Sequence, residues 1–450
     1  MINLFTQISK YLNIVFIAFY TYYAFRVFSL ADRDKKDRIY RKMKHIIYLF
    51  HFVSYLVLFL NTGSFKVAGL YIAQVVAMLV IFSIYPWVYS NISKFLLNHM
   101  MLLLTIGYIM LTRLHFDKAM KQFAIATLSV VFCIVIPIII EKLKKLQDFG
   151  WVFGGLGIVV LLSVLFFGVS NYGATNWISI KGFTFQPSEF VKIIFVFSIA
   201  SLLSKRRDFK YVAVVTVLAA AHVLILVLEK DLGGALIFFI TYLIMLYIAT
   251  SQPLYFFAGL GAGSVASYLA YHMFNHVRVR VMAWKDPWKL IDNEGYQVSQ
   301  SLFAIGTGGW FGMGLYQGLP TSIPVVDSDF IFSAISEEMG GFFAILLILI
   351  CISCFLMFVT IAMKIQELFY KLLALGLSAL YLFQVFLAIG GVTKFIPSTG
   401  VTLPLVSYGG TSILSSVIMF SIIQGLFIMN QDRNEKIEKK RRKTKKTKKS

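Results

Sequence analysis

Charged residues are scarce in this 450-residue chain: Asp, Glu, Lys and Arg together make up 14%, against 58% hydrophobic residues. Soluble domains carry about a quarter charged residues, so a soluble multidomain protein is excluded and a membrane protein is expected. Cysteine is scarcer still. Cys133, Cys351 and Cys354 all fall inside apolar runs, which rules out an oxidised disulfide framework. Cys351 and Cys354 have CxxC spacing, but a zinc site needs about four ligands. The seven histidines are scattered and supply no second pair, so the thiols read as small hydrophobes used in packing. The first apolar stretch is long enough to span, carries Arg26 and is followed by no small-residue cleavage site, so a cleavable signal is not expected. The glycine run at 306–314 does not end in GK[ST], which removes a Walker-type nucleotide loop and leaves close backbone packing or a hinge.

What the chain has in abundance is apolar segments of membrane-crossing length. About 20 residues are needed to carry a helix through some 30 Å of hydrocarbon, where backbone groups must be satisfied internally. Such segments fall near 9–30, 46–61, 67–86, 98–112, 122–140, 151–169, 188–204, 211–228, 231–250, 254–273, 341–363, 370–390 and 409–429. The fold class expected is therefore an all-α polytopic membrane protein with about 13 transmembrane helices. Basic residues number 42 against 21 acidic ones, giving a net charge of +21, and their distribution assigns sides. Clusters between Ala31 and His45, at Lys142, Lys144 and Lys145, at 205–210 and in the tail all fall on one side, predicting an external N-terminus and a cytoplasmic C-terminus. The tail, 430–450, has the composition of a disordered cationic arm attracted to anionic membrane lipids, at about 1 kcal/mol per basic residue. No nucleic-acid role is expected.

Chemistry is expected on the far side of the membrane, in the large extracytoplasmic loop 274–340 between the tenth and eleventh spans. Its order is Arg278, Arg280, WKDPW at 284–288, Tyr296 and Gln297, the glycine run, and DSDFIF at 327–332, with Glu337 and Glu338 following. Asp329 stands before Phe330, Ile331 and Phe332, where desolvation would raise its pKa toward that of a general base. The competing reading is a helix N-cap, since Ser328 and Asp329 open an apolar run. Glu189 and Lys192 lie three apart at the start of the seventh span and can share a helical face. Asp231 begins the ninth. Both a structural ion pair and a substrate-headgroup site fit these charges. The segment at 397–410, PSTGVTLPLVSYGG, is expected to be irregular backbone lining a cavity.

QPSEF at 186–190, DLG at 231–233, Tyr296 with Gln297, the glycines of 306–314, SDFIF at 328–332 with Glu337 and Glu338, and LPLVSYGG at 403–410 occur together and in this order. This set resembles the SEDS family of FtsW, RodA and SpoVE over roughly residues 101–429. The resemblance implies a ten-helix core at 98–429, preceded by a three-helix extension at 1–97. It implies a peptidoglycan glycosyltransferase that polymerises lipid II, the undecaprenyl-pyrophosphate disaccharide peptide, beside a class B penicillin-binding protein transpeptidase. Its aspartate maps to Asp329, expected to take a proton from the acceptor 4-hydroxyl. Arg280 and Lys192 become candidates for the leaving pyrophosphate, and Glu189, Asp231, Gln297, Glu337, Glu338 and Ser407 for substrate binding. No organic cofactor is implied, and a divalent cation fits the chemistry.

The sequence departs from the family pattern in three places. Asp327 stands near an expected glutamate, Lys230 replaces the proline of PDLG, and Ala388 replaces an asparagine four residues after Gln384. These departures leave a role in division, elongation or sporulation open. Two other readings compete: a flippase for lipid-linked precursors, using Glu189, Lys192 and Asp231, and a non-catalytic scaffold whose extra spans recruit partners.

Overall fold

The computed structural model describes residues 2–140, 147–171, 174–180 and 183–447, so Lys142, Lys144 and Lys145 lie outside the described residues. Helices dominate. The extension forms α1 (Ile2–Arg26), α2 (Arg33–Thr62) and α3 (Phe65–Val88). Asp32 starts α2 by accepting from Asp34 N–H, and Gly63 ends it at φ 61°, the left-handed conformation that glycine takes without a Cβ penalty.

Next come α4 (Lys94–Leu114), α5 (Phe116–Cys133), α6 (Ile136–Ile140), α7 (Gly150–Phe167), α8 (Ser188–Lys205), α9 (Phe209–Leu228), α10 (Leu232–Thr250) and α11 (Pro253–Met273). The final long helices are α15 (Gly341–Met363), α16 (Leu368–Val392) and α17 (Gly410–Thr447). Among the described residues, twelve helices have the length and apolarity to cross a membrane. α8 stands apart from them because its 18 residues include Glu189, Lys192 and Lys205.

α4 is the pivot of the bundle. Its apolar residues run all round the helix, and the entire spanning window is buried, as expected of a helix surrounded by others. α2, α5 and α15 pack on it, and α1 lies against both α2 and α15, so the extension is part of the bundle rather than an appendage. α11 is the opposite case: none of its residues is buried, and it touches the bundle through Gly259 and Gly263, which sit against Leu243 and Phe239 of α10.

Three elements interrupt the pattern expected from hydropathy. A three-stranded antiparallel sheet, β1 (Val169–Asn171), β2 (Ala174–Ile180) and β3 (Phe183–Phe185), joins α7 to α8, with Ile178 opposite Phe185 and Val169 opposite Trp177. The long segment 274–340 contains the short helices α12 (Asn275–Lys285), α13 (Tyr296–Gly308) and α14 (Ile331–Met339). Its helices are too short to register as spans, yet α14 is buried throughout. The third is at the C-terminus, where α17 runs on to Thr447. Lys, Arg and Glu are good helix formers, and the first turns beyond the bundle are tied down by Asn91 Nδ2 to Asp432 Oδ1 at 2.8 Å and Arg433 to Glu367 at 3.4 Å.

Candidate active site

The residues singled out in the sequence gather at one end of the bundle, where the segment 274–340 lies. The organising element is the segment 397–410 between α16 and α17. Apart from short turns it is irregular, as expected, and its peptide groups are bound by side chains from several helices. Gln122 of α5 donates Nε2–H to Ser407 O at 2.9 Å and accepts from Gly409 N–H at 3.0 Å. Ser407 Oγ accepts from Leu403 N–H at 2.9 Å and donates to Ser328 O at 2.5 Å, while Tyr408 N–H donates to Asp327 O at 2.8 Å. These bonds join the segment directly to the turn that carries Asp329.

Asp329 itself is half-buried, and Gly400 is its close neighbour: a Cβ built there would lie 3.4 Å from Asp329 Oδ2. Gly400 has φ 72°, so a glycine serves both the turn and the approach of the carboxylate. The capping alternative fails. α14 starts at Ile331 with Phe330 at the cap position and no side-chain cap bond, so the Asp329 carboxylate is not used to finish a helix end.

Arg280, on α12, reaches the same place from the other direction. Its Nη1 donates to Ser398 O at 3.4 Å, two residues from Gly400, so guanidinium and carboxylate both border the same short segment. Burial pushes the Asp329 carboxyl up to about 6, with Ser328 and Arg280 opposing the rise and Asp327 and Asp231 adding to it. Burial likewise lowers the Arg280 pKa, against the pull of Asp231 and Asp329. The pair is thus mutually stabilising and incompletely hydrated, a combination characteristic of reactive sites.

Asp231 is a neighbour whose oxygens are already bound. Its Oδ1 accepts from Gly234 N–H at 2.8 Å as the cap of α10, and its Oδ2 accepts from Gln186 Nε2 at 3.1 Å and Asn176 Nδ2 at 3.3 Å. Gly233 packs so tightly on the irregular segment that a Cβ would fall 2.4 Å from Val401. Lys230, where the family pattern has proline, lies at φ 62°, a region closed to proline.

Lys192 does not join Asp329. It is buried and bound to Glu189 Oε2 at 2.6 Å and Gln384 Oε1 at 2.9 Å, with Ser415 Oγ donating to the same Glu189 oxygen. Gln384 Nε2 in turn donates to Thr402 O at 3.1 Å, so this set supports the irregular segment from beneath. Glu337 and Glu338 face away from Asp329 toward the loop before it. Glu337 Oε1 accepts from Leu319 N–H at 2.8 Å, and Glu338 Oε1 accepts from Arg113 Nε at 2.8 Å and Tyr316 N–H at 3.1 Å. Gln297 is half-buried in the first turn of α13.

Four residues carry weight here that sequence reasoning passed over: Arg113, Lys118, Gln122 and Glu229. Lys118 pairs with Asp327 and lies 5.4 Å from the Tyr408 ring centroid, bracing the turn two residues before Asp329. Glu229 is fully buried with neither carboxyl oxygen bonded, and burial pushes it up to about 8, with the Asp231 charge adding to the shift. All four lay at or between the ends of hydropathic spans, where a polar residue reads as a boundary marker. As for a divalent cation, no three His, Cys, Asp or Glu side chains group to hold a metal among the described residues. Asp231 already accepts from three N–H donors.

These features define a polytopic helical membrane protein with a half-buried carboxylate and an arginine beside one irregular segment at an end of its bundle. Residues 92–432 match the model of the FtsW/RodA/SpoVE family, described as a cell cycle protein, and the chain belongs to that family. Peptidoglycan glycosyltransferase RodA of Mycobacterium leprae is 35% identical over 333 residues, covering 69% of this chain and 70% of that protein. The RodA of Mycobacterium tuberculosis is 38% identical over 307 residues, and the chain spans 64% of its length. A probable peptidoglycan glycosyltransferase FtsW of Geobacter sulfurreducens is 33% identical over 279 residues, covering 60% of this chain and 74% of that one. Among solved structures, a chain from a peptidoglycan synthase complex that coordinates polymerization and crosslinking aligns with TM-score 0.64 and 21% identity, over 76% of this chain and 98% of that chain. The rod shape determining protein RodA of Thermus thermophilus aligns with TM-score 0.55 and 21% identity, over 76% of this chain and 97% of its own. At that identity the likeness concerns the fold.

Proposed function

We propose that this protein is a peptidoglycan glycosyltransferase that polymerises lipid II into glycan strands, with Asp329 as the general base. The observation that carries the reading is that Asp329 and Arg280 both border the segment 398–400, close enough for their charges to act on one another. In the step proposed, the Asp329 carboxylate takes the proton of the acceptor sugar's 4-hydroxyl as that oxygen bonds to the donor's anomeric carbon. The bond from that carbon to the lipid pyrophosphate breaks, and the pyrophosphate leaves with the electron pair. Arg280 is placed to stabilise the developing charge, since a fixed guanidinium in a partly dry site acts strongly on phosphate oxygens. A carboxyl with its pKa near 6 is both ionised at neutral pH and basic enough to serve.

The site lies on the outer face of the cytoplasmic membrane in this reading, with an external N-terminus and a cytoplasmic C-terminus. Lipid II is the substrate, membrane lipids surround the bundle, and the transpeptidase partner is a class B penicillin-binding protein. The buried charges Glu189, Lys192 and Asp231 are bonded into closed sets, which favours support of the site over the alternating exposure a flippase needs. The test is strand formation from lipid II by purified protein, alone and with its transpeptidase partner. Asp329→Asn is expected to abolish product while leaving the melting transition in place; strands formed by that variant would remove Asp329 as the base.

A further inference from the structure

The extension α1–α3 has a specific contact that hydropathy does not explain. Near its start, α1 meets the glycine loop that follows α13. Lys10 Nζ donates to Gly312 O at 3.0 Å and Gln7 Nε2 donates to Met313 O at 3.4 Å. The Tyr11 and Phe311 rings lie 5.5 Å apart, and a Cβ on Gly314 would come within 3.2 Å of the Thr6 methyl. An ammonium bound to a peptide oxygen is among the stronger hydrogen bonds, and here it completes a loop whose own N–H groups point the other way.

Those N–H groups grip the end of α14. Met313 N–H donates to Glu337 O at 2.9 Å and Gly314 N–H to Glu338 O at 2.8 Å, while Gly341 N–H and Phe342 N–H donate to Gly309 O at 2.8 Å and Trp310 O at 3.0 Å. Gly312, Gly314 and Gly340 take φ of 78°, 103° and 91°, and a Cβ on Gly340 would lie 2.3 Å from Gly312 N. The loop and the α14–α15 junction are therefore fitted backbone to backbone. α14 begins two residues after Asp329 and spans about 13 Å, so a shift at its far end moves the base.

The other end of the extension is anchored in the bundle. His99 of α4 bonds Tyr20 Oη of α1 at 3.2 Å and Ser353 Oγ of α15 at 2.8 Å, joining three helices in one buried junction. α1 is thus held at two heights, once at mid-bundle and once on the loop.

We propose that the N-terminal extension is a built-in clamp on the glycine loop, with Lys10 as a positioning residue that fixes α14 and through it Asp329. The inference rests on the proposed polymerase reading. It assigns the extension to the orientation of the base rather than to recruitment of a partner.

The test uses the full chain in lipid nanodiscs, comparing wild type, Lys10→Met with Gln7→Ala, and Lys10→Arg with Gln7 intact. Initial rates of strand formation from lipid II and amide hydrogen exchange are read side by side. The double variant is expected to lose roughly tenfold in kcat with KM nearly unchanged, as when a group held only for the transition state is loosened. Amides of 309–317 and 331–339 should exchange faster, those of 368–392 should not, and Lys10→Arg should restore both readouts. A double variant matching wild type in exchange at 331–339, or with uniformly faster exchange and no recovery in Lys10→Arg, overturns the clamp. Wild type that forms no strands would instead defeat the polymerase reading, while the exchange comparison still decides whether Lys10 holds α14.

Discussion

Arg113, in the last turn of α4, donates Nε–H to Glu338 Oε1 at 2.8 Å and reaches Gly318 O with Nη2 at 3.2 Å. The Glu338 side chain is fully buried and the guanidinium lies 4.2 Å from the Tyr316 ring centroid, so the central helix of the bundle is bolted to the helix that follows the proposed base.

Burial pushes Glu338 up to about 7, with Arg113 opposing the rise. A carboxyl whose folded pKa lies above its unfolded value stabilises the fold below the unfolded pKa and loses that contribution as pH rises through the folded one. Removing Arg113 takes away the group that makes the ionised form tolerable. Arg113→Met should therefore be destabilised relative to wild type, more at pH 8 than at pH 6, approaching the roughly 3–5 kcal/mol of a broken buried pair. Thermal unfolding at the two pH values measures it, and adding Glu338→Gln should recover part of the loss.

The rate of strand formation should rise with pH along a limb inflecting near pH 6, as the Asp329 carboxylate forms. Arg280 holds that value down, so Arg280→Gln should move the inflection to higher pH as well as lowering the plateau. A limb that stays in place in Arg280→Gln would separate the two residues functionally. The same sign rule says that ionising Asp329 costs stability as pH rises through 6, so Asp329→Asn should melt no lower than wild type at pH 7.5.

Lys192 and Glu189 form a pair with 5% and 13% side-chain exposure. Lys192→Met leaves Glu189 with only the Ser415 hydroxyl, and the loss should be about 3–5 kcal/mol, the scale for one partner removed from a buried pair. Glu189→Gln with Lys192→Met should be milder than the single lysine change. A double variant as unstable as the sum of the singles would contradict this coupling, and unfolding in detergent decides it.

Two glycines of the loop should behave oppositely. A Cβ at Gly312 would lie 2.5 Å from Glu338 O at a φ of 78°, so Gly312→Ala should loosen the α14 junction, with about 1–2 kcal/mol from the left-handed backbone alone. Gly306 lies in α13 with open space around it, and Gly306→Ala should be neutral or stabilising by up to about 1 kcal/mol. Melting temperatures of the two variants compare them directly.

Much of the architecture was legible before any coordinates, because a span is a local property. Boundaries expected at 341–363 and 254–273 match α15 and α11 to within a residue, since bilayer thickness sets how long an apolar run must be. α8 was legible for the same reason despite its charges. The sheet at 169–185 and the helices inside 274–340 were not, as short elements at a membrane edge leave no sustained period. Beyond the last span, the contacts of Asp432 with Asn91 and of Arg433 with Glu367 link segments far apart in sequence, which composition does not record.

The amino-acid order by itself determined the helical membrane class, the candidacy of Asp329 through its setting in DSDFIF, and the irregular backbone at 397–410. Only the tertiary structure decided who meets whom: Arg280 rather than Lys192 on the segment that borders Asp329, Arg113 on Glu338 across 225 residues, and Lys10 on Gly312 across 302. Transfer into a bilayer depends on each segment's own side chains, so it can be read along the chain. Pairing of buried charges depends on which helix ends the packed bundle brings within a few ångströms, and no local pattern records that.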